Sequence, residues 1–214
     1  MRKLHMVGLA LVAAVAFSAF SVASAFALES TWLVDGAKPA AAVAADSTGT
    51  LELEDTKAGP FGESVAITCE GTDEGTIGPG PADTETKITT SKCKASKLCS
   101  ESPAPTATAL KLPWTTKVEL IGAAFYDDIV AGTGEVEYKT TCTVLGISIE
   151  DTCKLVLGRA LLENNGSNVN AVFSKTDTNQ PAGNCSRGGT GTGLVGGTDL
   201  NLSTEGLTIA ISEG

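Results

Sequence analysis

Leu51-Glu52-Leu53-Glu54 alternates apolar and acidic side chains residue by residue. In an extended chain successive side chains point to opposite faces, so both leucines share one face and both glutamates the other, the pattern of a half-buried strand. The same period of two runs through Val65, Ile67 and Cys69, and through Val136, Tyr138 and Thr140 against Glu135, Glu137 and Lys139. Near the end it returns in Leu200 and Leu202, then in Leu207, Ile209 and Ile211. Strands are further expected over Glu85 to Thr90, Thr115 to Ile121, Lys154 to Leu162 and Val169 to Phe173. Thr204-Glu205-Gly206 lies between the last two strands and predicts a terminal hairpin.

About a dozen short strands separated by turn residues predict an all-β fold, a single β-sandwich or barrel-like domain of short antiparallel strands. Ala37 to Ala45 is the best helical candidate, and Gly36 and Pro39 limit it to a turn or two. Prolines 79, 81, 103 and 105 and glycines 75, 78 and 80 crowd the stretch from Gly75 to Pro113, where long loops are expected.

Residues 1–27 have the layout of a signal peptide: Arg2, Lys3 and His5, then an uncharged apolar run from Met6 to Phe20, then small residues to Ala27. Cleavage after Ala25 or Ala27 satisfies the small-x-small rule, and the second leaves a domain of residues 28–214. The competing reading is a retained membrane anchor, since Met6 to Leu28 is long enough to span a bilayer, although its many small residues weaken it. Loss of Arg2 and Lys3 takes the formal charge from −10 to −12. Such an acidic chain repels nucleic acid and disfavours anionic lipid. The basic cluster Lys92, Lys94 and Lys97 reads as a solvated loop.

All six cysteines, Cys69, Cys93, Cys99, Cys142, Cys153 and Cys185, follow this segment. An even number in an exported chain predicts three disulfides, and no C-x-x-C spacing suggests zinc. Six cysteines allow 15 pairings. The expectation is that neighbours join, Cys93 to Cys99 and Cys142 to Cys153, leaving Cys69 for Cys185.

Past residue 27 there is no histidine. A Ser-His-Asp triad, a Cys-His pair and histidine-ligated metal centres are thereby excluded, and bridged cysteines remove thiol nucleophiles. Carboxylate chemistry survives. Asp127 and Asp128 are adjacent strand residues and point to opposite faces, so they do not form one pair. Glu135 and Glu137 share a face, which reads most simply as solvated.

Three motifs have blander explanations. Gly191-Thr192-Gly193-Leu194-Val195-Gly196 matches G-x-G-x-x-G, but no strand precedes it and no helix follows, so a Gly-rich hairpin or bulge is expected. The series Asp199, Asn201, Ser203 and Glu205 resembles a calcium loop without its sixth-position glycine, and its intervening leucines need burial. Glu70, Asp73 and Glu74, in an expected turn after Cys69, could hold calcium. Sequons stand at Asn165, Asn184 and Asn201.

Cys69-Glu70-Gly71, Gly75-Thr76-Ile77-Gly78-Pro79, Leu112-Pro113-Trp114, Asp151-Thr152-Cys153 and the Gly-rich stretch from Cys185 to Thr198 together resemble uncharacterised secreted bacterial proteins. The resemblance implies an extracellular, β-rich domain and no activity. The expected function is a non-enzymatic extracellular or cell-surface module that binds or scaffolds through a sheet face or the Gly75 to Pro113 loops. No cofactor, metal or catalytic residue is assigned, and the expected partner is extracellular. A secreted carboxylate-dependent hydrolase and a protease inhibitor with a bait loop between Cys93 and Cys99 are the alternatives.

Overall fold

A computed structural model describes residues 29–95, 98–131, 136–155, 158–173, 183–187, 190–192, 200–203 and 206–213. The expected signal segment, Lys97, Glu135, Asp199, Glu205 and most of the G-x-G-x-x-G stretch lie outside them. The described residues form β1 (Ser30–Val34), β2 (Val43–Asp55), β3 (Val65–Ile77), β4 (Ala82–Ala95), β5 (Thr106–Leu110), β6 (Trp114–Ile121), β7 (Ala124–Ala131) and β8 (Val136–Val144). They continue as β9 (Ile147–Leu155), β10 (Gly158–Asn165), β11 (Asn168–Val172), β12 (Gly183–Cys185), β13 (Thr190–Thr192), β14 (Leu200–Ser203) and β15 (Ile209–Glu213). The fold is all-β, and Ala37 to Ala45 forms no helix; its end enters β2.

Thirteen strands make one curled antiparallel sheet in the order β14-β11-β10-β7-β6-β4-β3-β2-β13-β12-β9-β8-β5. Strand β14 also pairs with β2 through Asn201, Leu202 and Ser203, so eight strands return on themselves. The alternation in β2 and β3 works as the sequence predicts: Leu51, Leu53, Val65, Ile67 and Cys69 are buried on one side. One apolar core runs through the curl, with Trp32 and Trp114 fully buried. Trp114 stacks edge-on against Tyr138 at 5.1 Å and donates from Nε1 to the Leu110 carbonyl at 2.9 Å.

The terminal hairpin does not form. Strand β14 joins the large sheet, whereas β15 pairs with β1 as a separate two-stranded ribbon. Ile209 and Ile211 are buried there with Trp32. The Asn164 side chain holds the ribbon to β10, exchanging two hydrogen bonds with the backbone of Ile211 at 2.9 and 3.1 Å.

The stretch from Gly75 to Pro113 carries more strand than its prolines suggest, because β4 extends well beyond Glu85 to Thr90. Two irregularities disguise it. Gly75 faces Glu85 while Glu74 faces Lys87, which leaves Thr86 extra; a second register shift lies opposite Cys69, where Lys92 takes φ +48°. Each extra residue reverses which side chains point inward, and the simple alternation is lost. Lys92 and Lys94 thus lie on a strand, and Lys92 pairs with Glu70 at 2.7 Å.

The disulfides are Cys69–Cys93, Cys99–Cys142 and Cys153–Cys185, so the neighbour pairing is corrected. Register explains why. Cys142 faces Ile149 and Cys153 faces Tyr138, which sets these two cysteines four residues apart along their hairpin. Cys153 instead lies directly opposite Cys185 on β12, and Cys93 falls at the bulge opposite Cys69. No loop is closed between Cys93 and Cys99. Three disulfides indicate an oxidising environment, and no helix among the described residues is long and apolar enough to cross a membrane.

Candidate functional site

Three places in the fold hold residues that ordinary folding rules would place elsewhere. The first is the tip of the β8–β9 hairpin. Val144 pairs with Ile147, leaving Leu145 and Gly146 as a two-residue turn with φ of +51° and +82°. Such primed turns favour Asn-Gly, because asparagine tolerates the left-handed region and a branched apolar side chain does not. Leu145 is nevertheless there, 84% exposed, and Ile147 beside it is 63% exposed. The tip is braced from the side: Cys99 is bridged to Cys142, and the Ser100 amide donates to the Thr143 carbonyl at 2.6 Å. Leu98, next to that staple, is also partly exposed.

The second is an acidic pocket inside the curl. Asp73 on β3, Asp83 and Glu85 on β4 and Asp127 on β7 line it, together with Ser47 and Thr84, and its volume is about 40 Å³. Ser47 lies opposite Asp73 and donates to its Oδ2 at 3.1 Å. The bulge at Thr86 is what turns both Asp83 and Glu85 toward this space, and Gly75 permits the close approach of β3 to β4. A Cβ on Gly75 would meet the Thr84 carbonyl oxygen at 2.1 Å. Burial pushes the Asp73 carboxyl up to about 6 against the Ser47 hydroxyl, and pushes Asp127 up to about 7, with Thr116 opposing and Asp128 reinforcing. Asp83 and Glu85 are raised by burial first and by their acidic neighbours second.

The third is a pair of buried aspartates, Asp55 at the end of β2 and Asp151 on β9. Asp55 Oδ1 accepts the Lys57 amide at 2.8 Å; Asp151 Oδ1 accepts the Ser186 hydroxyl at 2.6 Å and the Arg187 amide at 3.2 Å. Asp55 is raised to about 6 by burial and then by its hydrogen bond to Asp151, as expected of two carboxyls sharing a proton. The nearby sulfurs of Cys153 and Cys185 lie within 4.8 Å of these carboxylates, but they are bonded to each other and offer no thiolate. An open pocket of about 400 Å³ is lined by Lys57, Gly59, Pro60, Gly62, Ser186 and Arg187; three of these hydrogen-bond to the pair, but neither aspartate lines it.

Comparison with family models, with curated proteins and with solved structures gives no match. The functional reading therefore stands on side chains alone.

The residues singled out by sequence are distributed as follows. Asp127 and Asp128 do point apart: Asp127 enters the acidic pocket, whereas Asp128 takes a two-bond clamp from Arg159, its Oδ2 accepting from Nη2 at 2.6 Å. Glu137 is not solvated; it is buried and ion-paired with Lys111 at 2.6 Å. Glu70, Asp73 and Glu74 belong to a continuous strand and not to a turn. Glu70 and Glu74 face outward, pairing with Lys92 and Lys87, while Asp73 faces in, so the three cannot hold one ion. Asn165 and Asn184 are exposed. Sequence reasoning missed the hairpin tip, whose signal was a Leu-Gly pair between Val144 and Ile147, a two-residue turn with the wrong first residue.

Proposed function

We propose that this chain is an exported, non-enzymatic surface module that engages a protein partner through the apolar tip of its β8–β9 hairpin. The observation that carries this reading is Leu145. Its side chain is exposed and its backbone sits in the left-handed region, so the residue contributes little burial and costs the fold conformational energy. Outliers of this kind, held in place by surrounding structure, gather at binding sites. The Cys99–Cys142 staple supplies the hold, and a pre-ordered tip loses little entropy on binding. Two aliphatic side chains on a convex turn fit an apolar pocket in a protein. The net acidic charge disfavours an anionic membrane as the target.

The expected Gly75 to Pro113 binding segment enters this reading through Cys99 and Ser100, which buttress the tip. The hydrolase alternative gains no support from the acidic pocket, whose 40 Å³ is far below the roughly 300 Å³ and more of ordinary small-molecule sites. The test is saturable binding of fluorescently labelled protein to the surface of the producing cells, for wild type and Leu145→Asn. Loss of binding in a fully folded variant supports the assignment; undiminished binding refutes it.

A further inference from the structure

The β8–β9 hairpin that carries the exposed tip also carries an exposed edge. Its register runs without a shift from Val136 opposite Leu155 to Val144 opposite Ile147, so along each strand alternate residues turn their backbone groups toward the other strand and away from it. The groups that catch the outward series identify it. On β8 the Thr143 carbonyl accepts the Ser100 amide at 2.6 Å. On β9 the Thr152 carbonyl accepts the Ser186 amide at 2.8 Å, and the Thr152 amide donates to the Ser186 hydroxyl at 3.1 Å. Glu150 and Ser148 stand two and four residues before Thr152, so their amides and carbonyls point the same way.

No strand lies beside these groups. Strand β12 pairs with β9 only at Cys153 and Lys154, and Ser186 extends that contact as far as Thr152. Among the described residues no hydrogen bond reaches the outward amide or carbonyl of Ser148 or Glu150. Both residues are exposed, and β9 contains no proline to blunt the edge. The hairpin's other edge is covered: β5 pairs with Glu137 to Thr141, and Ser100 takes Thr143. An open edge beside a covered one is a template for one more strand.

We propose, resting on the reading of this hairpin as the partner-binding element, that an extended segment of the partner protein adds to β9 as an antiparallel strand along Ser148–Glu150. Its main chain bonds the outward groups of those two residues. The partner residue opposite Ile147 shares a face with that isoleucine, which is 63% exposed, and is apolar. Glu150 is paired with Lys139 yet keeps 60% of its side chain exposed, and the whole chain has a formal charge of −10. The partner residue opposite it is lysine or arginine, because opposite charges across a sheet attract and like charges repel. The occupant is thus a short extended stretch with a basic residue three positions before an apolar one. A second copy of this chain, paired about Ile149, would bring two acidic molecules together, which repulsion opposes.

The experiment is saturation binding of the labelled, disulfide-intact protein to the producing cells, for wild type, Leu145→Asn, Ser148→Pro and Glu150→Lys. Proline at 148 removes an outward amide and puts its ring where the added strand would lie, and it breaks no bond between β8 and β9. Ser148→Pro is expected to keep the wild-type circular dichroism spectrum and to bind about tenfold more weakly or worse. Glu150→Lys alters one exposed side chain and no backbone, is expected to weaken binding about fivefold, and decides the matter alone if the proline variant does not fold. Binding lost in Leu145→Asn but unchanged in the edge variants overturns strand addition and leaves the tip reading standing. Loss in the edge variants alone supports strand addition and refutes the tip reading. Unchanged binding in all three variants, or none by wild type, overturns both. A wild type that is dimeric in light scattering and monomeric as Ser148→Pro puts a second copy on the edge, and overturns the assignment to a foreign segment.

Discussion

Replacing Leu145 by asparagine is expected to make the protein more stable while abolishing its binding. In the left-handed region an L-residue with a bulky side chain pays roughly 1–2 kcal/mol, much of which asparagine avoids by hydrogen bonding locally. The leucine side chain is 84% exposed, so its removal gives up little burial in exchange. The net expectation is a gain of about 1 kcal/mol. For a chain of 214 residues that corresponds to a rise of roughly 2–4 °C in Tm. Differential scanning calorimetry measures it directly. Leu145→Ala is the control, since it deletes the side chain but keeps the left-handed residue; it should lose binding with no gain in stability. A fall in Tm for Leu145→Asn would show that the leucine packs against something and that its exposure carries no functional meaning.

Asp55 is raised from 3.8 to about 6, so the folded state holds a proton across that interval which the unfolded state releases. Its contribution to stability is therefore complete below about pH 4 and is lost as pH rises through 6, and Asp55→Asn should flatten this part of a Tm-versus-pH profile. Gly75→Ala should destabilise by more than about 2 kcal/mol in urea unfolding, because its Cβ meets backbone at 2.1 Å and not a side chain that can turn away. The Cys153→Ala, Cys185→Ala double variant should lose about 3–4 kcal/mol for a bridge spanning 32 residues, and an unchanged denaturation midpoint would count against that link.

Much of the strand inventory was legible because the inward residues of β2, β3, β8 and β15 are apolar and their neighbours polar, and a period of two needs no tertiary information. Pairing was not. Leu200–Ser203 and Ile209–Glu213 look like two arms of one hairpin, yet each pairs with a strand remote in sequence, Val43–Asp55 in one case and Ser30–Val34 in the other. Cysteine pairing failed for the same reason: it depends on register between strands, which spacing along the chain does not encode. The acids were the larger miss. The rule that carboxylates face water placed Glu137 outside and gave Asp73 to a turn, whereas the interior of this curl is partly polar. The bulge at Thr86 made Asp83 and Glu85 illegible as inward residues, because a single extra residue reverses the facing of everything beyond it.

Each of the fold's covalent staples stands close to one of its costly features. Cys99–Cys142 lies three residues from the strained turn at Leu145; Cys153–Cys185 adjoins Asp151 and its buried partner Asp55; Cys69–Cys93 fixes β4 at its second bulge, on the two strands that supply Asp73, Asp83 and Glu85 to the acidic pocket. A disulfide stabilises chiefly by restricting the unfolded chain, so its position need not follow the weak points of the native state. That all three do so here has a physical consequence. An unpaired buried charge or a left-handed leucine favours local opening, and a cross-link beside it limits how far that opening can spread. The staples thereby let the fold keep side chains that packing alone would select against, at the hairpin tip and inside the curl.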